Sequence, residues 1–157
     1  NIRDSHYQKA LGSFENLPSE QSLKSRGIML YNMARIQDSY KDYLGAETSI
    51  SSAIKIFDEL EDYYRLHNCY NVFGTIANGQ NDSEKALFYY GKAGEYLEHL
   101  EPSKKQSLAW VNQNNIASAL MNIGKYESAK KIYKNLLGDV ELKQKNQEII
   151  LRLYLNI

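Results

Sequence analysis

Small residues recur along this chain at one fixed spacing, and that recurrence limits what it can fold into more than any other feature. Ala34, Ala46 and Ala53 are separated by 12 and then 7 residues; Gly74, Ala86 and Ala93 repeat the spacing, and Ala117, Ala129 and Leu136 repeat it with one large substitute. Bulky side chains stand four and one positions ahead of the first small residue, as Leu30 and Met33, Tyr70 and Phe73, and Gln113 and Ile116. Four positions after the second small residue come Ile50, Tyr90 and Tyr133. Apolar residues three and four apart make one helical stripe, so each unit reads as a helix, a tight turn and an antiparallel helix. Small residues mark the crossings, because packed axes lie about 8 to 10 Å apart and a larger side chain there forces the helices outward or into strained rotamers.

The connecting residues agree with this reading. Gly79-Gln80-Asn81-Asp82-Ser83 and Gly124-Lys125-Tyr126 are turn sequences in which glycine supplies the helix stop and Asp82 or Ser83 the next cap. Asp62 and the Pro102-Ser103 pair can start the helices between units. The expected architecture is all-α, with complete hairpins over 19–60, 61–101 and 102–138. Tyr7 and Ala10 reproduce the spacing of Tyr90 and Ala93, so 1–17 reads as the second helix of a cut unit; 140–157 reads as a first helix, its Tyr154-Leu155-Asn156-Ile157 matching Gln113-Asn114-Asn115-Ile116. Because the chain also begins without methionine, the expectation is a piece of a longer protein. Ile149, Ile150, Leu151, Leu153 and Leu155 then need cover from further repeats or from self-association through the chain ends.

Composition narrows the function. The 157 residues carry nineteen basic and nineteen acidic side chains, which removes the overall attraction that a nucleic-acid or anionic-membrane partner needs, so neither is expected for this segment. No apolar run approaches the roughly 20 residues of a membrane span. Cys69 is the single cysteine, which excludes an internal disulfide framework and a multi-cysteine zinc site. His6, His67 and His99 have no metal-ligand spacing, and no cofactor is expected. Gly91-Lys92 lacks the flanking residues of a phosphate loop, and no nucleophile, base and orienting group stand at a catalytic spacing, so the chain is not read as an enzyme. Lys125, Lys130, Lys131 and Lys134 read as a solvated face, and most of the thirteen tyrosines, including Tyr70, Tyr90, Tyr126 and Tyr133, as packing residues.

These registers resemble the tetratricopeptide repeat family over nearly the whole chain. The small-residue register returns after 40 residues, from Ala34 to Gly74, and after 43, from Gly74 to Ala117, against about 34 in the usual unit. Longer units of this kind look like the extended repeats of bacterial sensor kinases, transcriptional regulators and peptide-responsive receptors. The resemblance implies a right-handed α-α superhelix whose first helices line a concave groove, and a peptide or partner protein as ligand. A cytoplasmic location is the first expectation, with a periplasmic one as the alternative for a membrane sensor.

First-helix positions facing away from the small-residue stripe give the expected groove. They are Tyr31, Asn32, Arg35 and Asp38; Asn68, Asn71, Thr75 and Asn78; Asn114, Asn115, Ser118 and Asn122; then Arg152 and Asn156. Ten asparagines fall in the four first-helix segments and, Asn1 aside, two in the second-helix segments, Asn16 and Asn135. Asparagine competes with the helix for backbone hydrogen bonds, so its accumulation there needs a reason. Its carboxamide donates and accepts, which suits an extended peptide backbone; alternatively, the asparagines bond between neighbouring first helices and set the stack. The expected function is a peptide-binding sensory or regulatory segment, with a constitutive scaffold or chaperone-assembly adaptor as the alternative.

Overall fold

The computed structural model describes Lys9 and residues 19–138, all helices and turns with no strand among them. Six α-helices follow in order: α1 (Ser19–Ser39), α2 (Tyr43–Glu59), α3 (Tyr63–Gly79), α4 (Ser83–Tyr96), α5 (Pro102–Asn122) and α6 (Tyr126–Gly138). A short 3₁₀ turn, Leu97–His99, ends α4. The expected half-units at 1–17 and 140–157, with Arg152, Asn156 and the apolar run from Ile149 to Leu155, lie outside the described residues.

One turn design is used four times. After α1, the amide of Lys41 donates to Asp38 O and that of Asp42 to Gln37 O, at 2.8 and 2.9 Å, a pair of bonds that consumes the last free carbonyls of the helix. The same pair recurs after α2 at Glu61 and Asp62, after α3 at Asn81 and Asp82, and after α5 at Gly124 and Lys125. Each turn needs one left-handed residue, and these are Lys41, Glu61, Asn81 and Gly124, with φ of 61°, 49°, 64° and 76°. Glycine therefore makes the stop only at Gly124; Gly79 is the last helical residue of α3, and Asn81 takes the role expected of it.

The residue after each of the first three stops is already the start of the next helix. Asp42, Asp62 and Asp82 accept from the amides of Gly45, Arg65 and Lys85 at 3.0, 3.1 and 3.0 Å, each satisfying a donor that the helix start leaves open. Stop and cap in adjacent residues leave no slack in the loop, so successive helices must fold back antiparallel. Between α4 and α5 the chain instead passes through extended Leu100, and Pro102 opens α5 where its missing N–H costs nothing.

Within each hairpin the small residues lie at the crossing. Ala34, Ala46, Ala53, Ala86, Ala93, Ala117 and Ala129 are fully buried, and Leu136 nearly so. At Gly74 a Cβ would collide with the Tyr90 ring, which explains why this unit has glycine where its neighbours have alanine. Leu30, Ile50, Phe57, Leu66, Phe73 and Ile76 fill the α1–α2–α3 core, each worth roughly 1.5 to 3 kcal/mol of burial. In the third unit Gln113 is exposed and Trp110, one turn earlier, is buried instead; Tyr126, expected to pack, is 60% exposed.

Every helix packs on the next, and α1 and α3, like α3 and α5, also touch directly. The second helices make no comparable approach to one another, so the described stack has α1, α3 and α5 as its tighter layer. On the opposite side a run of rings joins α3 to α4: Phe73 stacks on Tyr89 at 3.9 Å, Tyr70 on Tyr96 at 5.6 Å and Tyr63 on His99 at 4.5 Å. Burial pushes the Tyr70 phenol up to about 12, with the neighbouring Tyr96 adding to the effect, so the tyrosines here act as packing residues.

Candidate functional site

The first-helix layer holds two different asparagine arrangements. One is a buried network at the joint of α3, α4 and α5. His67, 1% exposed, donates from Nδ1 to Ala93 O at 2.8 Å, which leaves Nε2 to accept from Asn71 Nδ2 at 3.0 Å. Asn71 Oδ1 then accepts from Asn112 Nδ2 at 3.3 Å and Asn115 Nδ2 at 3.2 Å, and Asn112 also donates to Tyr90 O at 2.9 Å. Burial holds the imidazole pKa below its ordinary value, in keeping with a neutral ring that donates at one nitrogen and accepts at the other. Further along α3, Asn78 Oδ1 accepts from Ser83 Oγ at 2.7 Å and from Asn122 Nδ2 at 3.0 Å.

Asn71, Asn78, Asn115 and Asn122 thus spend their side chains on one another. Thr75 Oγ1 bonds back to Asn71 O at 3.1 Å, and Ser118 is half-buried. Asn114 Oδ1 is shut away from solvent with no hydrogen-bond partner among the described residues. Asp38 is half-buried, and burial raises its carboxyl pKa.

The second arrangement is a cleft between α1 and α3. Ile28, Tyr31, Asn32, Phe57, Tyr64, Arg65 and Asn68 line it, and its volume is about 260 Å³. Ile28, Tyr31 and Asn32 form one i, i+3, i+4 face of α1, while Tyr64, Arg65 and Asn68 form the matching face of α3. Phe57 of α2 closes the floor and is almost fully buried. Among the described residues, neither Asn32 nor Asn68 has a side-chain hydrogen-bond partner, in contrast to the paired amides further along the layer.

Each aromatic ring of the cleft carries a cation over its face at 5.7 Å: Arg35 over Tyr31, Arg65 over Phe57 and Lys104 over Tyr64. Arg65 also pairs with Asp62, which Lys24 approaches at 3.9 Å. Burial raises the Tyr31 phenol and Arg35 partly offsets the rise, so Tyr31 stays a neutral hydrogen-bonding group at physiological pH.

Of the groove residues expected from sequence, the cleft brings together Tyr31, Asn32 and Asn68, with Arg35 over the Tyr31 ring, and separates them from the network of Asn71, Asn78, Asn115 and Asn122. Ile28, Phe57, Tyr64 and Arg65 were not expected in it, nor Lys104 over Tyr64, nor His67 and Asn112 in the network. A signal for part of this was present: Ile28 and Tyr64 stand four residues ahead of Asn32 and Asn68, on the same helical faces. Phe57 and Lys104 come from other helices and carry no such signal.

Among the described residues no group of three or more histidine, cysteine or acidic side chains is placed to hold a metal, and no helix is long and apolar enough to cross a membrane. Cys69 is buried, and burial pushes its thiol up to about 12, which leaves it protonated and unreactive. Lys130, Lys131 and Lys134 are exposed along α6. No model of a known protein family matches the chain, and no curated protein matches it.

Proposed function

We propose that this chain is a non-catalytic, tetratricopeptide-type module that binds a peptide or protein segment, and that it serves as the sensory or regulatory part of a bacterial signalling protein. The observation that carries the binding reading is the α1–α3 cleft, where Asn32 and Asn68 present carboxamides that have no partner among the described residues, beside apolar walls. A pocket with a few polar groups set among apolar ones orients a ligand while burying it. At about 260 Å³ it falls below the roughly 300 to 1,000 Å³ of drug-sized ligand sites and suits one large side chain of a longer ligand.

The regulatory reading adds that occupancy of the cleft, which spans the first two hairpins, biases their relative packing and hence whatever domain is attached. Such coupling requires the ligand to bind one packing more tightly than the other. The test is selection of binders from an unbiased peptide library, followed by NMR titration of the 157-residue chain. Shift changes gathered on Ile28, Asn32, Tyr64 and Asn68, and lost in Ile28→Arg, support the proposal; changes confined to the second helices overturn it.

A constitutive scaffold is the second reading. Leu44, Phe88 and Tyr126, on the three second helices α2, α4 and α6 and outside the cleft lining, are 78%, 60% and 60% exposed, apolar positions open to a partner. Binders that depend on these three residues and ignore the cleft would favour it.

A further inference from the structure

We infer that the occupant of the α1–α3 cleft is an acidic peptide segment that inserts one bulky apolar side chain, an assignment resting on the proposed binding role and naming the class of ligand. Two observations carry it. The first is size and lining: about 260 Å³ corresponds to the space of eight or nine waters at roughly 30 Å³ each, room for one aromatic or branched side chain against Ile28, Tyr31, Phe57 and Tyr64. The side-chain amides of Asn32 and Asn68, without a partner among the described residues, stand beside that space, where a peptide backbone entering and leaving it needs both a donor and an acceptor.

The second observation is charge. Arg35, Arg65 and Lys104 stand over the three aromatic walls, and Lys24 joins Arg65 at Asp62. Among the described residues, these contacts set four cations against the single carboxylate of Asp62, in a chain whose overall charge is zero. Arg35 and Lys104 are exposed, whereas Arg65 and Lys24 are engaged with Asp62, so residues flanking the anchor in a bound peptide come within reach of Arg35 and Lys104 first. Acidic flanks are attracted; basic flanks are repelled and lose the competition. A nucleic acid fits less well, since the cations ring a single side-chain-sized hole and do not track along a groove with repeated stacking platforms.

The experiment titrates a labelled acidic peptide with one central tryptophan into the 157-residue chain, read by fluorescence anisotropy at low and high salt. Its comparisons are the same peptide with serine for tryptophan, the same peptide with lysine for every acid, and the protein variants Ile28→Arg and Arg35→Gln with Lys104→Gln. The acidic tryptophan peptide binds, each peptide change and the double glutamine variant weaken binding by roughly tenfold or more, high salt weakens it further, and Ile28→Arg abolishes it. Equal binding of the lysine peptide, or indifference to the double glutamine variant, overturns the acidic assignment while the cleft remains the binding site if Ile28→Arg still abolishes binding. Failure of the acidic peptide where library-selected peptides bind through the cleft overturns the inference alone. Binding that ignores Ile28→Arg, or no binding by any peptide, removes the inference and the proposed function together.

Discussion

Asn71 Oδ1 accepts the side-chain amide of Asn115 at 3.2 Å, a bond between α3 and α5 that joins two hairpins. The same oxygen takes Asn112, and the Asn71 amide serves His67, so one residue serves three neighbours, of which His67 and Asn112 are buried. Asn71→Ala should therefore cost about 2 to 3 kcal/mol, because it strands polar groups away from water. Asn32→Ala, at a side chain with no partner among the described residues, should stay within about 0.5 kcal/mol. Urea unfolding of both variants checks this, and an equal effect of the two would contradict the division of the asparagines into linking and free groups.

The network also sets a pH dependence. Its imidazole is held neutral, with a pKa below the ordinary value near 6.5, so the unfolded chain binds more protons than the folded one below that pH. His67 thus contributes stability that is full above about pH 6.5 and is lost as pH falls through its lower folded value. The charged form would aim an Nε2 proton at the Asn71 amide. Urea midpoints measured from about pH 8 to about pH 5 should fall more steeply for the native chain than for His67→Gln, whose slope reports the remaining groups.

Left-handed backbone at a residue with a Cβ is unfavourable by about 1 to 2 kcal/mol, and Glu61 sits there at φ 49° with its side chain exposed. Glu61→Gly should raise stability by about 0.5 to 1 kcal/mol, offset in part by the looser unfolded chain. Gly124→Ala, at φ 76°, should lower it by a similar amount. Thermal melts of the pair give opposite signs if the shared turn geometry is right.

Two glycines in helices should respond in opposite directions to alanine. Gly74→Ala drives a methyl into the Tyr90 ring and should cost about 1 to 3 kcal/mol. Gly91→Ala meets nothing within 4 Å and should gain up to about 1 kcal/mol from helix propensity. An unchanged melting temperature for Gly74→Ala would mean that α3 and α4 are not held at this distance.

Much of the fold could be read from the chain because its signals are local and periodic. The 12-and-7 spacing of small residues marks three helix crossings, and those residues are buried. A finer signal runs beside it: Asp42, Asp62 and Asp82 are 20 residues apart and each caps a helix, so the pattern has a half-period as well. The choice of Asn81 over Gly79 as the stop was less legible, since either residue tolerates the left-handed conformation. Tyr126 failed as a core residue because aromatic identity says nothing about which face of α6 it occupies.

The candidate site was half legible. Sequence separated asparagine-bearing first helices from the second helices, yet it could not sort the amides that bond to each other from those left free. Asn68 and Asn71 are three residues apart on one helix and face different surroundings, a cleft for the first and His67 with α5 for the second. The helical hairpins follow from the order of residues alone, because periodicity, small residues and caps act within a few turns of each residue. That Phe57 floors a cleft built by α1 and α3, and that Lys104 reaches across from α5 to Tyr64, comes from the stacking of the hairpins, because contacts between distant segments depend on it.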